Sequence, residues 1–324
     1  MESKEYLLTV DKIGKYFDLT KNLAAKVLKG ATILKAVDHV SFNIKKGKTL
    51  GLVGESGCGK STVARLITRL IDASFGKVYF NGIDLFALKG KEMRETRRDI
   101  QLIFQDPFTS LNPRKKIKTI IGMPLSIHYQ LNGREKRERV MTLLQMVGMG
   151  ADHIDRYPHE FSGGQRQRLA VARALALHPE LVICDEPVSA LDVSIQAQIL
   201  NLFRQLQDDL GLTYLFISHD LSVVEHISDD VAVMYAGKIV EFASTRDIFS
   251  SPLHPYTKAL ITSRIEDRNE REKYALKGEI ISPINPPLGC RLQTRCPRYQ
   301  PQCTEEEPEL ADLGNGHFVA CLNN

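Results

Sequence analysis

Long apolar runs are missing from the 324-residue chain: no window approaches roughly eighteen consecutive apolar residues. The start, Met1-Glu2-Ser3-Lys4-Glu5, has no basic stretch leading into an apolar one. The expectation is a chain that neither crosses a membrane nor is exported by itself. Charge of one sign is also scarce. A formal net charge of +4, spread over interspersed acids and bases, gives no case for nucleic acid as a partner. There is no internal repeat of useful length and no low-complexity tract, which removes solenoids and disordered linkers from consideration. Closely paired C-x₂₋₄-C spacing is absent too.

What is present suits a globular fold, since a 43% hydrophobic content is ample for a buried core in a chain of this length. Residues 6 to 53 hold β-type runs, including Val37 to Ile44 with alternating apolar positions and the buried-looking Leu50 to Val53. Between them, Asp18 to Leu34 reads as an inserted loop or short helix. From about 115 to 150 the pattern becomes helical, with Val140, Leu143, Leu144 and Val147 at three- and four-residue spacing. Segment 181 to 242 alternates apolar strands (Leu181 to Cys184, Tyr214 to Ile217, Val231 to Tyr235) with an amphipathic helix carrying Ile195, Ile199, Leu202, Leu206 and Leu210. That order predicts a parallel α/β sheet. Beyond about residue 250, Pro252, Pro255, Pro283, Pro286 and Pro287 interrupt every periodic run, so little regular structure and little core are expected there.

Three motifs carry chemistry. Gly54-Glu55-Ser56-Gly57-Cys58-Gly59-Lys60-Ser61, followed by Thr62, matches G-x-x-x-x-G-K-[ST] between an apolar strand and the helical run Val63 to Leu70. Its glycines let backbone N–H groups converge on phosphate, Lys60 suits the β and γ phosphates of ATP, and Ser61 can ligate Mg²⁺. Asp185-Glu186 follows the strand Leu181 to Cys184, where ligands gather in open α/β sheets. Asp185 is expected to hold the Mg²⁺ shell and Glu186 to polarise the attacking water. Phe161-Ser162-Gly163-Gly164-Gln165 precedes the helical run Leu169 to Leu177, with Ser162 as its cap, so one chain carries two anion-type helix starts.

Taken with the phosphate loop, the Ser162-Gly163-Gly164-Gln165 stretch resembles the signature of the ATP-binding-cassette ATPases, in the expected motif order over roughly residues 7 to 249. The resemblance implies an α/β P-loop fold: a RecA-like core, an N-terminal antiparallel β subdomain and a helical signature subdomain at about 107–178. It also implies an ATP sandwich between two cassettes, each signature facing the partner's phosphate loop. Further roles come with it. Gln105 resembles the loop glutamine that senses Mg²⁺ and the membrane subunits, Asp192 the aspartate linking the two sites, and His219 the switch histidine on the γ phosphate. The adenine platform falls on Phe17, with Tyr16 able to substitute. Cys58 and Cys184 read as small packing residues.

Phe104-Gln105-Asp106-Pro107, Ser110-Leu111-Asn112-Pro113-Arg114, Tyr157-Pro158-His159-Glu160 and His254-Pro255-Tyr256-Thr257 resemble the peptide-importer branch. So does the tail from Pro286 to Pro297, although Leu292 stands where an aromatic is common. The insertion resembles the F-type cassette of a heterodimeric pair. The resemblance implies ATP-driven import of dipeptides or oligopeptides, with nickel or glycosides as alternative cargo. It implies a peripheral place on the cytoplasmic face of the cell membrane. The partners would be a second cassette, two membrane permease subunits and an extracytoplasmic binding protein. A rival class, soluble cassettes acting on nucleic acid or ribosomes, generally carries coiled-coil insertions, zinc modules or tandem cassettes, none of which is seen. A non-hydrolytic subunit should lack Glu186 or His219.

The segment 1–250 is therefore expected to be the nucleotide-binding domain and 251–324 an irregular appendage. Four of the six cysteines, Cys290, Cys296, Cys303 and Cys321, crowd that appendage. Four thiolates at one centre would couple metal binding to local folding. The wide spacing favours an iron–sulfur cluster over zinc, and the family resemblance points the same way, to [4Fe-4S], with reduced free thiols as the third possibility.

Overall fold

A computed structural model of the chain describes residues 5–20, 31–106, 110–264, 274–276, 278–279 and 281–323. Two 13-residue strands, β1 (Tyr6–Asp18) and β2 (Ile33–Lys45), open the chain and pair antiparallel in register Asp18 with Ile33. They are longer than the short runs expected. Leu19 donates its backbone N–H to Thr32 at 2.8 Å, so the predicted insertion leaves from the closed end of a hairpin. Its residues 21–30 lie outside the described residues, as does Pro107. With β4 (Phe75–Phe80) and β5 (Ile83–Asp84) the pair forms a four-stranded sheet in the order β2-β1-β4-β5.

The second sheet has eight strands in the order β11 (Ala311–Asp312), β12 (Phe318–Val319), β10 (Lys238–Ser244), β9 (Asp230–Tyr235), β3 (Thr49–Val53), β8 (Thr213–Ser218), β7 (Leu181–Asp185) and β6 (Ile100–Ile103). Its centre is parallel: β3, β6, β7, β8 and β9. Parallel strands require crossovers, so they are buried on both faces and read as continuous apolar runs. The two faces separate by alternation: Leu181, Ile183, Leu215 and Ile217 pack toward the antiparallel sheet and α1 (Lys60–Ile67), whereas Val182, Cys184, Tyr214 and Phe216 pack toward the helices.

The helical layer follows the expected periodicity. It comprises α3 (Ile117–His128), α4 (Gly133–Met146) and α5 (Gly163–Leu175), with α2 (Gly90–Asp99) preceding β6. Val140, Leu143, Leu144 and Val147 are all buried in one cluster with Leu169 and Val171. The predicted amphipathic helix is α6 (Val193–Leu210), which buries Ile199, Leu200, Leu202, Phe203 and Leu206 and ends at Gly211 with φ +66°.

After α7 (Leu221–Ile227), β10 (Lys238–Ser244) turns back antiparallel to β9, followed by α8 (Thr245–Ser250) and α9 (Pro255–Thr262). The C-terminal residues then depart from expectation. Their strands β11 (Ala311–Asp312) and β12 (Phe318–Val319) pair in turn onto β10 and so extend the central sheet. Leu292 and Val319 are each 1% exposed, and Leu292 joins a core cluster with Val231, Val233 and Tyr256. Proline removes helical and strand periodicity, but it does not stop a coil from inserting isolated apolar side chains into a sheet face. Leu292→Ala should therefore cost about 2–4 kcal/mol in denaturant unfolding; a shift below about 0.5 kcal/mol would mean that the tail is not docked.

Candidate functional site

The parallel strands end on one edge of the sheet, and each end is followed by a candidate residue. β3 runs into Gly54, β6 into Phe104 and Gln105, β7 includes Asp185 and runs into Glu186, and β8 runs into His219. The pairing registers Val53 with Ser218 and Asp185 with Ile217 hold these ends level. In the loop after β3, Gly54 (φ +156°) has the Met234 carbonyl oxygen 2.1 Å from where a Cβ would stand, and Gly59 (φ +112°) has the Ala36 carbonyl oxygen at 2.3 Å. Neither position admits a side chain. Gly57 also has a left-handed backbone, at φ +79°.

Lys60, 4% exposed, donates from Nζ to the carbonyls of Gly54 at 2.8 Å and Glu55 at 3.0 Å. Ser61 donates its hydroxyl to Asp185 Oδ1 at 2.8 Å, so the first helical turn after the loop meets the tip of β7. Burial, aided by the neighbouring Glu186 charge, raises the Asp185 carboxyl above its usual range against the lowering effect of the Ser61 hydrogen bond. Glu186 sits at φ +49°, a left-handed conformation that turns its carboxylate out of the strand, and its N–H is held by the Ile217 carbonyl at 3.0 Å. Gln105 Nε2 donates to Glu186 Oε2 at 3.0 Å, and His219 Nδ1 meets the same oxygen at 3.0 Å. Three residues distant in sequence thus share one carboxylate oxygen.

The signature residues lie in the helical layer. Ser162 caps α5: its Oγ accepts from Gln165 N at 3.3 Å and its N–H donates to Gln165 Oε1 at 3.0 Å, a reciprocal box. Ser162 is exposed. Gly164 lets α5 close on α6, since a Cβ there would stand 2.4 Å from Ile195 Cγ2. Asp192 caps α6 by accepting from Ile195 N at 3.0 Å, beside the 83%-exposed Val193. Cys58 and Cys184 are both buried free thiols, raised by that burial, which accords with a packing role.

At the first strand, Tyr16 and Phe17 differ in commitment. Tyr16 donates its hydroxyl to Asp38 Oδ1 at 2.6 Å and meets Phe75 edge-on, while the half-buried Phe17 ring is approached by the Lys15 ammonium at 5.1 Å from its centroid. Burial alone would raise the Asp38 carboxyl, but hydrogen bonds from Tyr16 and His39 and the Arg291 charge bring it down to about 2. Arg291, from the tail, also donates to the Ala236 carbonyl.

Sequence reasoning missed a group of residues behind the loop. Tyr256, fully buried at the start of α9, accepts the Glu55 backbone N–H on its hydroxyl at 2.9 Å. Arg295 donates to both Glu55 carboxylate oxygens, at 3.0 and 3.2 Å. The His254-Pro255-Tyr256-Thr257 motif was visible as a family likeness, and its local logic is now plain. His254 caps α9 through Nδ1, accepting from Tyr256 N at 3.1 Å, and Pro255 opens the helix. Arg295 carried no periodic or spacing signal.

The tail cysteines are near neighbours. Cys290 donates its backbone N–H to the Cys303 carbonyl at 2.8 Å. Burial pushes the Cys290 thiol up to about 11, against a backbone hydrogen bond at Leu292 and with the other three thiols adding to it. Among the described residues, however, no group of three or more His, Cys, Asp or Glu side chains is placed to hold a metal ion. As neutral thiols, Cys290 and Cys296 pack against the Leu292 cluster like small apolar side chains. No described helix is long and apolar enough to cross a membrane.

Residues 37–189 match the family model described as ABC transporter. A dimeric ATP-binding cassette in a post-hydrolysis state, bound to ADP and Pi, superposes with a TM-score of 0.65 at 28% identity, over 74% of this chain and 99% of that one. Fold and site together define an ATP-binding-cassette ATPase. Residues 240–303 further match the family model described as oligopeptide/dipeptide transporter, C-terminal region. The oligopeptide transport ATP-binding protein AppF of Bacillus subtilis is 51% identical, covering 98% of each chain. The dipeptide transport ATP-binding protein DppF of Escherichia coli is 49% identical, covering 98% of this chain and 94% of its own. The chain belongs to the ABC transporter ATPase family, on the branch whose members are named oligopeptide and dipeptide transport ATP-binding proteins.

The buried cap beneath the loop has a pH signature. Burial, with the Arg298 charge adding to it, lowers His254 from the ordinary 6.5 to about 3, so it is neutral when folded. The unfolded chain takes up a proton first as pH falls below about 6.5, so stability is lost from there downward toward the folded value. His254→Asn keeps a cap acceptor and should flatten the fall in unfolding free energy between pH 6.5 and 4 by up to about 1.4 kcal/mol per pH unit. Parallel wild-type and variant curves would contradict a buried neutral His254.

Proposed function

We propose that this chain binds and hydrolyses ATP at the strand-end site to power import of dipeptides or oligopeptides through a membrane transporter. The observation that carries the reading is end-to-end relatedness, at about half identity, to proteins named for oligopeptide and dipeptide transport. In this reading the backbone of Gly54 to Thr62, including Ser56 and Gly57, cradles the phosphates, and Lys60 leaves the loop carbonyls for the β and γ oxygens. The Ser61 hydroxyl and Asp185 carboxylate, 2.8 Å apart, are hard oxygen donors that suit Mg²⁺. When bound there, the ion would neutralise charge on the phosphates. Glu186 takes the water's proton, Gln105 and His219 orient its carboxylate, and His219 then turns to the γ phosphate. Phe17 serves as the adenine platform, its ring not tied by a hydroxyl as Tyr16 is.

Ser162, Gly163, Gly164 and Gln165 act on a partner's nucleotide, and Asp192 lies at the same junction. The partners in this reading are a second, different cassette, two permease subunits and an extracytoplasmic peptide-binding protein, with the chain at the cytoplasmic face of the membrane. We assign residues 1–250 to the nucleotide-binding domain and 251–324 to the branch-specific tail.

Glu186→Gln preserves shape and removes the group that takes the proton. In the reconstituted transporter, ATP turnover should fall on the order of 10²-fold or more while ATP binding persists, and labelled-peptide uptake should stop. Wild-type turnover would remove Glu186 from this role; nickel uptake lost with peptide uptake intact would overturn the cargo. For the tail, the wide spacing of Cys290, Cys296, Cys303 and Cys321 and the family likeness support a [4Fe-4S] cluster, with zinc and reduced free thiols the alternatives; holding it would require the four side chains to gather closer than they stand here. Anaerobically isolated protein should be brown, hold about four irons and four sulfides, and lose them in any Cys→Ser variant of the four. A colourless, iron-free preparation would overturn the cluster, and stoichiometric zinc would replace it.

A further inference from the structure

Glu55, the second residue of the phosphate loop, is fixed from three sides. Tyr256 receives its N–H at 2.9 Å, Lys60 donates to its carbonyl at 3.0 Å, and Arg295 engages its carboxylate with two N–H groups at 3.0 and 3.2 Å. The arginine is itself built in. Its side chain is 9% exposed, the Tyr235 ring lies 5.8 Å from the guanidinium, and the Tyr235 hydroxyl is 3.4 Å from Nη1. Tyr235 packs in turn on Tyr256 at 4.6 Å between ring centroids. Three distant segments therefore meet around one loop residue: the tail at its carboxylate through Arg295, the start of α9 at its backbone N–H, and the end of β9 behind both through Tyr235.

A carboxylate in such a loop is an electrostatic liability. The Lys60 ammonium, which must attract a polyanion, stands at the Glu55 carbonyl, and a free carboxylate within a Debye length of about 8–10 Å would repel the same phosphates. At 24% exposure, water screens Glu55 only in part. A planar, doubly hydrogen-bonded guanidinium both cancels that charge and fixes its direction.

We propose that Arg295 is a positioning residue of the ATP site: by neutralising and holding Glu55 it keeps the phosphate loop shaped and attractive for the nucleotide, so that the C-terminal tail is a working part of nucleotide binding. The inference rests on the ATP-site reading above and deepens it.

The test is binding of the non-hydrolysable analogue AMP-PNP with Mg²⁺ to the full-length chain by titration calorimetry, with thermal unfolding measured alongside. Arg295→Ala leaves Glu55 unpaired beside the phosphates and should weaken binding about tenfold. Arg295→Lys keeps the charge without the fork and should fall between wild type and Arg295→Ala. Removing the offending charge as well, in Arg295→Ala/Glu55→Gln, should bind at least threefold tighter than Arg295→Ala. If the pair only anchored the tail, the double variant would bind no better than Arg295→Ala, and that result overturns the proposal. So does Arg295→Ala binding within twofold of wild type. A wild-type chain that binds no nucleotide would instead overturn the ATP-site reading, and this inference with it.

Discussion

Parallel pairing of β6, β7, β8 and β3 is the constraint on which the site depends. Parallel ladders with fixed register end at one edge, so Gln105, Asp185, Glu186, His219 and Gly54 arrive together although they are spread over the sequence. A one-residue slip of β7 would exchange Val182 and Cys184 with Leu181 and Ile183 between two different cores. Burial on both faces therefore holds the register, and the register places the carboxylates.

Rigidity at that edge comes from groups that do no chemistry. Backbone carbonyls of Met234 and Ala36 press on Gly54 and Gly59, and the antiparallel sheet that carries Ala36 thereby closes one side of the loop. The tail closes the other side. Arg291 reaches Asp38, which holds Tyr16, and Arg295 reaches Glu55. Arg291 with Asp38 is a buried ion pair and Arg295 with Glu55 a partly buried one, the kind whose breakage leaves a stranded charge rather than a merely weaker contact.

The signature helix obeys a different demand. Its cap, Ser162, is satisfied within the helix by Gln165, yet it remains at the surface. Gly164 lets α5 and α6 approach closely, while Val193 beside Asp192 stays 83% exposed.

The motifs and the places they occupy were legible in the sequence because each is local: Gly54 to Ser61, Asp185-Glu186 and Ser162 to Gln165 each carry their neighbours' geometry in their own spacing. The layers were legible too, since two-residue and three-to-four-residue periods mark strands and helices. What the sequence could not show is which single side chains meet across long separations. Nothing in its spacing tells Arg295 from any other basic residue; only docking of the tail on β10 and β9 brings it to Glu55. The same docking made core out of a proline-rich stretch that periodicity dismissed, because Leu292 and Val319 need only one buried position each, not a repeat. The sequence by itself determined the motifs and their order, since these depend on neighbours along the chain. The tertiary structure alone decided how the tail meets the phosphate loop, since that depends on charges made neighbours by folding.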